Sequence, residues 1–251
     1  MKTPSAGRDE PDSQGQFGFT VQSFFQAFNG AKLALHFVNY HSRLPLISAR
    51  TADQQAIDET SNAAVDMRAA ALAMDAGIPF DQARGIEETL TIGGLANETR
   101  YFASYPEDIQ MLGASFSTAT SRTGTLISGE IARHFGWPIQ IPREEVLAAS
   151  LSPIQFTDAF SQTSLGEFGA RQVVKGFAKS DKTQLSLGLI QLFGPRLRSA
   201  QSLLGFDIGW VHFDDLPDGH PADSGSWGYR LTGSMVYEGI LRGFRLQPSL
   251  I

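Results

Sequence analysis

Alternation of apolar and polar residues is the main pattern of this chain. From Ile109 onward the hydrophobic period is mostly two, which is typical of β-strands with two unlike faces. We predict about eight antiparallel strands, and six of them are well defined by the pattern: 32–40, 109–118, 125–133, 183–193, 203–212 and 229–237. A last strand is predicted near 243–250. These strands are about ten residues long, whereas strands of soluble proteins mostly have about five or six.

The apolar positions of neighbouring predicted strands should share one face. Leu185, Leu187 and Leu189 precede a turn near 194–199, and three further apolar positions follow it in the same alternation: Leu204, Phe206 and Ile208. We expect these six side chains to form one apolar band that is exposed when lipid is absent. A soluble sandwich would instead bury them against a second sheet or a layer of helices.

Two other parts of the chain lack this alternation of apolar and polar residues. Residues 1–16 are polar and predict a disordered or loop-like start, and Asn29-Gly30 predicts a hairpin turn after it. Between 51 and 92 the apolar residues fall at helical spacing, which predicts a helical insert in one long loop of a β-rich segment that spans 17–251. A surface helix pair in a soluble α+β protein is the alternative. Short helical patches are also expected between 143 and 160.

Composition favours a membrane protein that crosses with strands. Charged residues make up only 18% of the chain, against about 25% in ordinary soluble domains, and there are 25 glycines and 18 phenylalanines. No run of about 18 apolar residues exists, so the sequence predicts no membrane-spanning helix, but a barrel strand needs only about ten residues. The net charge of −6, without a cluster of Lys and Arg, argues against nucleic acid as a partner.

Candidate chemistry is sparse. The chain has no Cys, and no nucleophile elbow, phosphate loop or carboxylate pair stands at a useful spacing. His134, His212 and His220 are isolated, and a lone His is more often hydrogen-bonded than a ligand. We therefore predict no catalytic, cofactor-binding or metal-binding residue and no enzyme activity. An outer-membrane hydrolase with a Ser/His pair is the least favoured alternative, and a soluble β-rich module that binds small ligands is the main one.

Charged residues on the polar side of the strands are the remaining candidates. In a barrel they would line the lumen and influence what passes through it. The alternatives are a solvated sheet face and lumen salt bridges that only stabilise the fold. We select four such lumen-lining candidates: Glu130, Asp207, Arg230 and Arg245.

A series of short segments follows in consistent order along the chain: NYHSRLP (39–45), YF (101–102) with YPEDI (105–109), GASFST (113–118), TGT (123–125) with GEI (129–131), KGF (175–177) leading to TQ (183–184), LFGP (192–195), GWV (209–211) and DDLP (214–217). Together these segments resemble the proteobacterial outer-membrane barrels of the domain-of-unknown-function-1302 family. The resemblance covers about residues 17–251, so it does not rest on one chance motif.

This resemblance implies an antiparallel outer-membrane β-barrel of a Gram-negative cell. Family members are longer, so the chain is expected to be an interior fragment that forms a partial or open barrel with unpaired edges near 17–40 and 240–251. The family resemblance implies a porin-like role in passage of small hydrophobic molecules or lipids across the outer membrane. Its implied partners are outer-membrane lipid, such solutes and envelope export components. It brings no cofactor and no catalytic residue.

Overall fold

Strands are the most abundant secondary structure in the described chain. The computed structural model describes residues 5–26, 30–238 and 245–250. The elements follow in this order: β1 (Ser5–Asp9), β2 (Phe17–Phe25), β3 (Ala31–Tyr40), β4 (Leu46–Arg50), α1 (Gln54–Asp58), α2 (Asn62–Ala76), α3 (Phe80–Glu98), β5 (Arg100–Ser104), β6 (Ile109–Ala119), β7 (Leu126–Gln140), α4 (Arg143–Leu151), β8 (Val173–Val174), β9 (Phe177–Phe193), β10 (Gln201–Phe213), β11 (Gly225–Glu238), β12 (Arg245–Leu246) and β13 (Ser249–Leu250).

One large antiparallel sheet contains nine of these strands. Its order is β2-β3-β6-β7-β9-β10-β11-β12, and β13 also pairs with β11. All six well-defined predicted strands lie in this sheet, so the prediction of their type and antiparallel pairing is confirmed. Pairing of β2 with β3 agrees with the hairpin predicted at Asn29-Gly30, although Asn29 itself lies outside the described residues.

The large sheet is open within the part of the chain that the structure describes. Strand β2 forms one edge, and β12 and β13 lie at the other. No ladder joins these two edges among the described residues, so no closed barrel is formed there. The coarser expectation of a mostly antiparallel β-fold with a few helices is confirmed.

A second, four-stranded sheet and the helices form a separate unit, which we call the small-sheet domain (5–9, 46–104 and 141–176). Its strand order is β1-β5-β4-β8, with β1 parallel to β5 and the other pairs antiparallel. Helices α1 to α3 confirm helical structure across the predicted insert, and they extend it to Glu98. Asp53 and Ser61 cap α1 and α2 with their side chains, and Gly77 ends α2 at a φ of 65°.

The start of the chain differs from the expectation of a disordered or loop-like segment. Residues Ser5–Asp9 form strand β1, which pairs with β5. An edge strand of this kind is held by backbone hydrogen bonds to its neighbour, so it needs no alternating side chains that a sequence pattern would reveal. Residues 10–16 are irregular, as expected.

Most of the buried apolar residues belong to the small-sheet domain. One cluster joins α1, α3 and α4 to the loop that follows α4, and it contains Ala52, Ile57, Leu95, Ala96, Leu151 and Ile154. A second cluster lies between α4 and the small sheet, and it contains Ala49, Ile141, Val146, Ala149 and Val174. None of the described helices is long and apolar enough to cross a membrane. The large sheet contains few of the buried apolar residues, so burial of apolar side chains contributes less to its stability than to that of the small-sheet domain.

Hydrogen bonds at one end of the large sheet fix the small-sheet domain to it. The Gln140 side chain, on the last residue of β7, accepts from Ile47 N at 2.7 Å and donates to Ile47 O at 3.1 Å and Gly176 O at 2.6 Å. Gly176 N donates to Ser48 Oγ at 3.1 Å. A Cβ at Gly176 would lie 1.6 Å from Ile47 O, so only glycine fits this junction.

We predict that Gly176→Ala destabilises the protein, because backbone must move to admit the methyl group. The expected loss is about 1–3 kcal/mol of unfolding free energy, measured by denaturant titration with far-UV circular dichroism. Gly85→Ala in α3 is the matched control, since nothing lies within 4 Å of its Cβ position, and it should be neutral or slightly stabilising. Equal stability of the two variants would contradict the proposed packing of the junction.

Candidate functional site

Register gives the large sheet one apolar face. Residues that pair directly in an antiparallel ladder project from the same side of the sheet. One such row crosses seven strands, from β2 to β11, and it contains Val21, Leu35, Ala114, Ile131, Leu185, Trp210 and Trp227. The next row contains Ser23, Leu33, Phe116, Gly129, Leu187, Ile208 and Tyr229. We call this surface the apolar band.

The apolar band is exposed. Leu185 is 44% exposed, Phe17 61% and Trp227 70%, and these residues lie on widely separated strands. Leu187, Leu189, Leu204, Phe206 and Ile208 are exposed on the same face. The predicted common facing of the six leucine, phenylalanine and isoleucine side chains is thus confirmed, and in the part of the chain that the structure describes no second sheet or helix layer buries them. Exposed apolar surface on this scale marks a site of contact with lipid or another protein.

An ion-pair network lies where the apolar band ends on β7 and β9. Arg133 Nη1 donates to Thr183 Oγ1 at 2.8 Å and to Asp214 Oδ1 at 3.2 Å. Its Nη2 donates to Asp214 Oδ2, and to Asp181 Oδ2 at 3.3 Å. The hydrogen bond from Arg133 holds the pKa of Asp214, in the loop after β10, below its usual range. The band therefore has a polar boundary at the end nearest the small-sheet domain.

Small and polar residues form the central rows of the opposite face, which we call the polar face, although exposed apolar side chains also lie on it at Phe24, Leu126 and Ile190. One row of this face contains Ser115, Glu130, Ser186, Gly209 and Gly228, and the next contains Ser117, Ser128, Gly188, Asp207 and Arg230. His36 lies on the same face, where its ring nitrogens bond to Thr20 Oγ1 and Ser115 Oγ. Hydrogen bonds between side chains thus cross neighbouring strands of this face.

The structure places three of the four selected charged residues on the polar face. Asp207 and Arg230 are directly opposed, and Arg230 Nη2 donates to Asp207 Oδ2 at 2.9 Å. Glu130 lies on β7, in the neighbouring row. Arg245 begins the short strand β12, and its side chain lies outside the described part of the structure.

A buried polar cluster occupies the polar face beside the small-sheet domain, and sequence reasoning missed it. A β-bulge at Phe135-Gly136 places two residues of β7 opposite Asp181, and Gly136 has a φ of 68°. Gly136 N donates to Asp181 Oδ1 at 3.0 Å. Because of the extra residue, His134 and Trp137 project from the same face, although they are three residues apart.

Four side chains make up this buried cluster: Tyr40, His134, Trp137 and Lys182. Tyr40 Oη lies 3.1 Å from His134 Nδ1, and the His134 and Trp137 rings are 5.1 Å apart. Lys182 Nζ lies 3.3 Å from the centre of the Trp137 ring, which is a cation–π contact. His134 is 6% exposed and Lys182 9%. The one signal in the sequence is the break in alternation at Gly136.

The other histidine of this region is structural. His41 accepts a hydrogen bond from Asp108 N at its Nδ1, and its Nε2 lies 2.7 Å from Gln14 O. Asn39 Nδ2 adds donations to Gly15 O and Asp108 Oδ1. This network holds 10–16 against the turn that enters β6. Among the described residues no group of three or more His, Asp or Glu side chains is arranged to hold a metal ion.

A family model described as "Protein of unknown function (DUF1302)" matches residues 2–251. The chain therefore belongs to this family, as its sequence segments predicted. No curated protein and no solved structure matches the chain.

We predict that Gly136→Ala damages the buried cluster. A non-glycine residue at positive φ is strained by about 1–2 kcal/mol, and relief of that strain would rotate Trp137 away from Lys182. Unfolding free energy should fall by this amount, and Trp fluorescence should shift to longer wavelength. Gly209→Ala is the control, since the nearest atom to its Cβ position is 3.9 Å away and its φ is not positive. An unchanged emission spectrum in Gly136→Ala would count against the role given to the bulge.

Proposed function

We propose that this DUF1302 member is an outer-membrane β-barrel protein, and that its polar face lines a path for small hydrophobic molecules or lipids. The observation that carries the proposal is the apolar band, which continues across seven strands and has at least one exposed large apolar side chain on each of them. In water such a surface is unfavourable by roughly 25 cal/mol per Å². Contact with lipid acyl chains removes that penalty without any protein partner.

The height of the band supports a membrane in particular. On β9 the apolar positions extend from Leu185 to Phe193, with Gln191 among them. Eight residue steps of about 3.4 Å give roughly 27 Å, and a strand tilt of about 40° lowers this to roughly 21 Å. Outer-membrane barrels have an apolar band about 25 Å tall. The ion pairs of Arg133 lie at its boundary, where charged groups meet water and lipid headgroups.

The band also moves along the strands as it crosses the sheet. On β2 the apolar residues Val21, Phe19 and Phe17 extend from the row of Val21 and Trp210 toward the small-sheet domain, and Phe25 lies on the other side of that row. On β10 the apolar residues from Trp210 to Leu204 extend from this row away from the small-sheet domain. Tilted strands must show this offset if the band is to stay level in a membrane plane. A sandwich core sets no such requirement.

Transport is supported by the composition of the polar face. Its glycines and serines leave space beside the sheet, and its charged residues are few and partly paired. The small-sheet domain lies at the end of this face where β3, β6, β7 and β9 connect to it. Solutes would therefore pass the small-sheet domain as they enter or leave the path. Passage by diffusion needs no reaction, and we assign the protein no catalytic step.

We predict that Phe206→Arg weakens folding into lipid vesicles. If Phe206 lies near the middle of the bilayer, the expected cost is about 2–4 kcal/mol, measured by denaturant titration of the vesicle-bound protein. Ser186→Arg is the matched control, because it places the same charge on the polar face opposite Glu130, and it should cost less than about 1 kcal/mol. An unmodified chain that stays soluble and melts cooperatively without detergent or lipid would favour the soluble module instead.

Passage itself is tested with vesicles that contain the protein. Octanesulfonate is a suitable probe, because its permanent charge slows diffusion through the bilayer. We predict that the protein accelerates uptake of radiolabelled octanesulfonate and that Gly209→Trp, on the polar face, lowers this rate several-fold. Ile208→Trp is the control, since it places the same ring on the apolar band. Equal rates for both variants and the unmodified protein would contradict a path along the polar face.

A further inference from the structure

Lys182 and His134 form a buried cationic site that has no counter-charge among the described residues. They are directly opposed in the ladder of β7 and β9, on the polar face. Both are more than nine-tenths buried, yet no described carboxylate forms an ion pair with Lys182, whose ammonium group lies over the Trp137 ring. Glu130, the nearest acid along that face of β7, is separated from His134 by Ala132. A buried charge without a partner is costly, so its retention suggests a ligand.

A hydrogen-bonding position at this site is also unused. His134 Nε2 is buried and has no partner among the described residues, whereas Nδ1 is engaged by Tyr40 Oη. When the Tyr40 hydroxyl donates to Nδ1, the neutral ring has its proton on Nε2 and is a free donor there. Lys182 offers further N–H donors. Two neighbouring donors with one positive charge match a carboxylate, whose two oxygens both accept hydrogen bonds.

Apolar residues flank the pair on both sides within its row: Met111 and Val38 lie beyond His134, and Phe213 lies beyond Lys182. Val38, Met111 and Phe213 lie in the same row of the polar face as His134 and Lys182, and all three are half-buried. Trp137 adds an aromatic surface beneath the ammonium group. This arrangement combines a cationic centre with apolar flanks, unlike the Ser- and Gly-rich rows farther along the face.

We propose that Lys182 Nζ and His134 Nε2 bind the carboxylate of a small amphiphile, whose hydrocarbon part extends across Met111 toward Val38. This inference deepens the proposed function and rests on it, because it identifies the transported class as monocarboxylic acids with an apolar body. Trp137 and Tyr40 are positioning residues, since they hold the two groups that contact the ligand.

The test uses octanoate as the probe and the full chain in detergent or lipid. With Trp210→Phe and Trp227→Phe in the background, Trp137 is the one tryptophan left and reports binding by fluorescence. Octanoate should bind at least tenfold more tightly than octan-1-ol, which has the same chain length without the charge. Lys182→Met should weaken octanoate binding by roughly tenfold to a hundredfold, the usual effect of losing a charge-assisted hydrogen bond. Affinity for octan-1-ol should not change.

Two further variants separate charge from structure. Lys182→Arg retains the positive charge and should keep octanoate affinity within about fivefold. Lys179→Met removes an exposed lysine three residues earlier on β9 and should have no effect. Octanoate binding to Lys182→Met as tightly as to the unmodified chain would overturn the inference. If Lys182→Met does not fold, the test relies on the unmodified chain. Equal affinities of that chain for octanoate and octan-1-ol would also overturn the inference.

Failure of this inference can be told apart from failure of the proposed function. A protein that folds into vesicles but does not distinguish octanoate from octan-1-ol retains the membrane function and lacks the carboxylate site. A protein that binds octanoate through Lys182 without entering lipid has the site, and supports it as part of a soluble binding module.

Discussion

Register across the large sheet is the constraint on which this structure depends. The side-chain period of a strand is two, so a slip of one residue between any two neighbours would move apolar side chains to the opposite face. Here the ladders align from β2 to β11 so that the rows of the apolar band stay on one side and the rows rich in Ser, Gly and charged residues on the other. Among the described residues nothing covers the apolar band, and this exposure is the basis for the proposed contact with lipid.

The two parts of the molecule are stabilised differently. The small-sheet domain buries its own apolar clusters, as a soluble protein does. The large sheet buries little apolar surface of its own. Gln140 and Gly176 join the two at one end of the strands, so the domain lies beyond the Arg133 boundary of the apolar band. This placement agrees with the proposal that the large sheet lies in a membrane and that the small-sheet domain lies in water at one end of its strands.

Sequence alone predicted the long strands and their facing, because alternation at Leu185 to Leu189 or Leu204 to Ile208 translates directly into a face. It did not predict the small sheet, since β1, β4, β5 and β8 are short and lack alternation. The buried cluster was missed for another reason: one glycine, Gly136, shifts the alternation and brings His134 and Trp137 together. The pairing of Asp207 with Arg230 also depends on the strand register, which the alternating pattern alone does not define.

The central claim is that the apolar band faces lipid. Because the chain has no native cysteine, single cysteines at Ile208 and at Ser186 can each carry a fluorescent label after reconstitution into vesicles. Nitroxide groups on the lipid acyl chains should quench the label at 208 strongly and the label at 186 weakly, while a water-soluble quencher should show the reverse order. Equal quenching of the two labels by lipid nitroxides, or stronger quenching at 186, would contradict the assignment of the band.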